Sequence, residues 1–182
     1  MKKALLNSAV FVIGLVMMFT SCKKNKTSDN EEELITTVTL AFTEQGTSNI
    51  STFIFRDSDG DGGNPPTLYQ DIVLAPNKVY NLAIALTNES VNPAEDITGE
   101  VAAEAGDHQF YFEVSGVNVT INNLNTDSGG LPLGLTSRWT TTTTSTGKVK
   151  ITLKHKPGIK AAGDPVAKGD TDIELDWTVK VQ

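Results

Sequence analysis

The chain has 182 residues, with 15 Lys and Arg against 22 Asp and Glu, a net charge of −7, and one cysteine. An acidic balance argues against nucleic acid as a partner, because that affinity rests on neutralising phosphates. One thiol excludes an internal disulfide and a multi-thiolate metal site.

Residues 1–21 join a Lys2-Lys3 start to an apolar run ending at Phe19, with small residues before Cys22. That is the pattern of a secretory signal peptide. The apolar stretch from Ala4 is 16 residues long and is broken by Asn7, Ser8 and Gly14, whereas a spanning helix needs about 20. With the only cysteine directly after it, the segment resembles a bacterial lipoprotein signal, in which Cys22 is lipidated and becomes the mature N-terminus. Acylation, by chains such as palmitate, removes an unpaired thiol from an oxidising compartment. More than one chain is enough for stable anchoring. Loss of the signal leaves 13 basic against 22 acidic side chains over 161 residues, a balance of −9.

Residues 22–33 read as lipid anchor and polar tether. Lys23, Lys24 and Lys26 suit anionic headgroups beside an acylated cysteine, and Asp29 with Glu31-Glu32-Glu33 reverses the sign. A single domain is expected over residues 34–182.

Alternation governs that domain. Residues 34–42 are rich in β-branched side chains, with Val38, Leu40 and Phe42 on one face of a strand. Residues 52–56 and 68–74 read as two more. A turn at 75–78 leads into a strand over 79–87, in which Val79 followed by Leu82, Ile84 and Leu86 implies an irregularity near Asn81. Asn92 as N-cap, Pro93 at the first helical position, and Ile97, Val101 and Ala105 at four-residue spacing predict one short helix over 93–105, stopped by Gly106.

Strands resume at 109–115, with Phe110 and Phe112 on one face and Tyr111 on the other, and at 117–124. A loop at 125–132 precedes a strand over 133–141. Ser145-Thr146-Gly147 reads as a turn into a strand at 148–153. Residues 157–169 form a long Gly, Ala and Pro loop. In the last strand Ile173, Leu175, Trp177, Val179 and Val181 alternate with polar residues. Eight or nine strands with one short helix predict an all-β fold, an antiparallel two-sheet sandwich of Ig-like or transthyretin-like architecture. A closed barrel is the alternative.

Three groups of residues carry possible chemistry. Asp57-Ser58-Asp59-Gly60-Asp61-Gly62 places carboxylates at alternate positions around a tight-turn glycine, as in the first half of an EF-hand loop. Position twelve is Leu68 rather than Glu, and Pro65-Pro66 stand where a helix would begin. The stretch is closer to the D-x-D-G-D-G loops of extracellular β domains, with Ca²⁺ as the one cofactor expected; a plain interstrand turn is the other reading. Glu100, Glu104 and His108 fall at i, i+4 and i+8, a carboxylate and imidazole set of the kind that ligates zinc. His155 lies between Lys154 and Lys156, which reads as a poor place for a cation. Two histidines also raise a haem clamp, although the mature chain keeps no methionine. There is no G-x-S-x-G and no free thiol, so no catalytic residue is assigned and a non-enzymatic protein is expected.

Residues 57–63, the stretch T-N-E-S-V-N-P-A-E-D-I-T at 87–98, and Asp107-His108-Gln109-Phe110 are similar to a set of Bacteroidota lipoproteins. Some of these carry the label of a type 1 periplasmic binding fold. That fold is a two-lobed α/β structure about twice this length, and the strand pattern here departs from it. The resemblance implies an accessory or ligand-capturing protein beside an outer-membrane TonB-dependent receptor. Bacteroidota export signals place acids close to the cysteine, and here they follow lysines several residues later. The periplasmic face of the outer membrane and the cell surface therefore both stay open. The function expected is a lipid-anchored envelope binding or accessory protein of unknown ligand, with a structural or adhesive surface protein and a metal-capturing lipoprotein as alternatives.

Overall fold

In a computed structural model, the structure describes residues 33–60 and 62–182. The signal, Cys22 and the tether before Glu33 lie outside the described residues. Among the described residues no helix is long and apolar enough to cross a membrane.

Among the described residues eleven strands form two sheets. They are β1 (Thr37–Glu44), β2 (Ile50–Arg56), β3 (Leu68–Tyr69), β4 (Ile72–Leu74), β5 (Val79–Asn88), β6 (Glu95–Asp96), β7 (His108–Ser115), β8 (Val119–Asn122), β9 (Thr136–Thr141), β10 (Ser145–His155) and β11 (Asp170–Val181). One sheet runs β3-β2-β1-β5-β9-β8, with β6 added on β5; the other runs β4-β11-β10-β7. All pairs are antiparallel except β4 with β11. The fold is the expected all-β sandwich, not a barrel.

The core follows from alternation. Val38, Leu40 and Phe42 of β1 point inward with Leu82, Ile84 and Leu86 of β5, and face Val149, Ile151, Leu153, Leu175, Trp177 and Val179 of the second sheet. Trp139 is fully buried, its ring edge-on to Phe42 at 5.0 Å, and its Nε1 donates to Ser137 Oγ at 3.1 Å. The last strand alternates as its sequence predicts, with Leu175, Trp177, Val179 and Val181 inside.

Several boundaries differ from the sequence reading, each for a physical reason. Residues 68–74 are not one strand: Leu68–Tyr69 pairs with β2, while Ile72–Leu74 crosses to pair with β11. In β5 the inward series begins at Tyr80, not Val79, so the strand is regular through Asn81. Ser145-Thr146-Gly147 is not a turn but the start of β10, opposite Val181, Lys180 and Val179. A Cβ on Gly147 would strike the backbone of Ser115, Gly116 and Val117, so glycine is there for close approach.

The helix is shorter than predicted. It spans Ile97–Ala103 (α1), and Asp96 rather than Asn92 caps it, accepting from Gly99 N–H at 3.2 Å. Glu95 and Asp96 are drawn into strand pairing with Asn88 and Thr87, so helical geometry cannot start at Pro93. Ile97 and Val101 are buried. The Thr98 hydroxyl donates to the Leu86 carbonyl and accepts from the Leu86 N–H, fastening α1 to β5. From there the chain crosses to the second sheet.

Candidate metal centre at one end of the sandwich

The crossing from α1 into β7 brings Glu104 and His108 to the sequence-distant His155. The helix ends at Ala103, and Glu104 N–H closes it on the Glu100 carbonyl at 2.9 Å. Asp107 N–H then bonds the Glu104 carbonyl at 2.8 Å, turning the chain so that His108 opens β7. His108 lies directly opposite His155, the last residue of β10, in the antiparallel register. Asp107 locks the two chain segments: its carbonyl accepts from Lys156 N–H at 2.6 Å and its Oδ1 from Gly158 N–H at 3.0 Å.

Strand parity decides which way the side chains face. His108 is in phase with Phe110 and Phe112, and His155 with Val149, Ile151 and Leu153, so both imidazoles extend the core column at its end. His108 is 0 % exposed and His155 9 %. Their rings are stacked 4.5 Å apart and 3° from parallel. Lys154 and Lys156 take the opposite parity. Lys154 Nζ donates to Thr171 Oγ1 at 2.6 Å, and Lys156 Nζ donates to Gln109 Oε1 at 3.2 Å and to the Tyr111 hydroxyl, with Asp164 Oδ2 at 3.7 Å. The lysines that seemed to exclude a cation from His155 thus stand on the other side of the sheet.

One ligand atom from each of Glu104, His108 and His155 lies within 4.8 Å of the others. Glu100, expected beside them, is not in this group, because α1 stops before the helical staircase reaches His108. His108 Nδ1 sits 3.2 Å from the Glu104 carbonyl, and its Nε2 faces Asp172 Oδ2 of β11 at 3.7 Å, with both side chains inaccessible to solvent. Burial above all holds His108 below the ordinary imidazole range of about 6.5; the Glu104 carbonyl opposes this and His155 adds to it. A neutral imidazole is the form that ligates a metal. Two imidazoles and a carboxylate can bind a cation.

Local anchors brace this end. Lys160 Nζ bonds both the Ala105 carbonyl at 2.7 Å and Asp127 Oδ2 at 2.8 Å, with both side chains almost fully buried. The loops at 125–132 and 157–169 are thereby tied to the turn that carries Glu104.

The aspartate loop has a different construction. Asp57 is buried at the end of β2, with its N–H on the Thr36 carbonyl. Asp59 Oδ2 accepts from Asn64 N–H at 2.9 Å and from Asn64 Nδ2 at 2.7 Å. The Asn64 backbone bond is the main reason that its carboxyl lies below the usual range. Asp59 therefore closes a turn, and Asp61 lies outside the described residues. Asp57 and Asp172 line a cleft of about 500 Å³ with Leu34, Phe55 and Leu175.

Sequence spacing marked Glu104 and His108 but joined them to Glu100 and kept His155 apart. The signal for His155 was its odd parity with Val149, Ile151 and Leu153. Asp172 carried no local signal. Comparison of the chain with protein-family models, with curated proteins and with solved structures finds no match.

Proposed function

We propose that this protein is a lipid-anchored, non-enzymatic binding protein of the bacterial envelope, held at the outer membrane through Cys22 and serving beside a transporter. One observation carries the binding role: two buried imidazoles and the exposed Glu104 carboxylate are gathered at one end of the sandwich. A purely structural core gains nothing from such groups, since apolar side chains there avoid their desolvation cost. The anchoring role rests on the signal ahead of Cys22, and the transporter on the resemblance to lipoproteins that accompany TonB-dependent receptors.

Metabolic labelling with an alkyne fatty acid tests the anchor. The wild-type chain is expected to carry label and to fractionate with the outer membrane, and Cys22→Ser to lose both. An unlabelled wild-type chain would overturn the envelope assignment. Cross-linking in intact cells then tests the partner, with a TonB-dependent receptor as the expected product.

A further inference from the structure

We infer that Glu104, His108 and His155 form a site for a divalent late first-row metal ion, with Zn²⁺ as the reference ion. This names the ligand class of the binding protein proposed above and rests on that reading.

The donor set selects the metal. Hard cations such as Ca²⁺ and Mg²⁺ require shells built mainly of oxygen. Two imidazoles and one carboxylate suit Zn²⁺ and its neighbours in the first transition row. Cys22 is the only cysteine of the chain, so the site is one of nitrogen and oxygen.

The geometry is close to what the ion needs. Zn–N and Zn–O bonds of about 2.0–2.2 Å put tetrahedral donors roughly 3.4 Å apart. The donors here lie within 4.8 Å of one another, so binding draws them in by at most about 1.4 Å, given those bond lengths. Glu104 is exposed and able to make that movement. In the stacked pair the ring lone pairs run side by side, so binding must tilt His155 against His108.

A second observation points to a ligand. His108 Nε2 and His155 Nδ1 are buried without a hydrogen-bond partner among the described residues. For His108 the reason is visible. A proton on Nδ1 directed to the Glu104 carbonyl leaves the lone pair on Nε2, and such an outer bond to a backbone carbonyl is the usual support of a metal-ligating histidine. That lone pair faces the Asp172 carboxylate at 3.7 Å.

The full chain, purified in detergent and stripped with a chelator, tests this by calorimetric titration with Zn²⁺. One ion per chain is expected. Glu104→Gln, at an exposed position that leaves the fold intact, is expected to weaken binding by more than about tenfold, the lower bound for losing even an outer-shell partner. His155→Gln is expected to abolish the stoichiometric event, with thermal melting confirming that the variant is folded. No saturable binding at micromolar Zn²⁺, or binding unchanged in both variants, overturns the site. An acylated, membrane-bound chain that takes no zinc overturns the metal assignment alone. A zinc-binding chain without acylation overturns the envelope assignment alone.

Discussion

The β7–β10 pair buries polar groups on both of its faces and treats them in opposite ways. On the outer face, Lys156 is 0 % exposed, yet its ammonium meets Gln109, Tyr111 and Asp164, and lies 4.6 Å over the Tyr111 ring. Asp164 also accepts from Lys168 at 2.9 Å and from Ala161 N–H at 2.8 Å. Burial pushes the Lys156 ammonium below its ordinary range, and Asp164 opposes that push. On the inner face, one residue away along β10, His155 and His108 keep ring nitrogens with no hydrogen-bond partner among the described residues. A buried polar group whose partners are all internal is a structural device. One that leaves donor atoms within 4.8 Å of one another is where the metal ion inferred above would sit.

The largest expected effect breaks the outer face. Asp164→Ala removes the counter-charge of Lys156 together with two other bonds, and should lower the melting temperature more than any other substitution at this end of the sandwich. Adding Lys156→Met should recover much of that fall, because deleting both partners of a buried pair costs far less than deleting one. No recovery would mean that Asp164 acts through the loop alone. Next comes the joint between the faces. Gly169 has φ of +84°, and a Cβ there would strike the His155 carbonyl and the Lys156 stem. Gly169→Ala should cost about 1–3 kcal/mol by denaturant unfolding.

A smaller effect is set by pH. The hydrogen bond from Lys160 lowers the Asp127 carboxyl below its ordinary 3.8. A carboxyl with a lowered folded pKa contributes stability that is fully present above the unfolded value. That stability is lost as pH falls through the folded value. The gap in melting temperature between wild type and Asp127→Asn should therefore be full at pH 7 and close below about pH 4. The smallest effect sharpens the inner face. In metal-stripped protein His155→Leu should change unfolding free energy by less than about 1 kcal/mol, since an apolar side chain replaces one with an unsatisfied nitrogen. A large loss would make His155 a structural residue.

The two faces also show what a sequence can and cannot tell. Alternation placed the core side of β1 and β11 correctly, because Val38, Leu40 and Phe42, and Leu175, Trp177 and Val179, are each in local phase. It read residues 68–74 as one strand, since a crossing between sheets leaves no mark on local polarity. It read Ser145-Thr146-Gly147 as a turn, because the close approach of Ser115 to Val117 that requires Gly147 comes from elsewhere in the chain. At the site, helical spacing found Glu104 and His108. His155 is 47 residues from His108 and is brought there only by strand register. Its lysine neighbours misled because adjacency in sequence is opposition across a sheet.

X-ray absorption at the zinc edge, on the full chain loaded with one equivalent of Zn²⁺, reads the ligands of the bound ion. A shell of nitrogen and oxygen at about 2.0–2.2 Å, with the outer scattering of two imidazoles, is expected. That imidazole signal should be halved or lost in His155→Gln. A shell containing sulfur, or an oxygen-only shell unaffected by the substitution, would contradict the site of Glu104, His108 and His155.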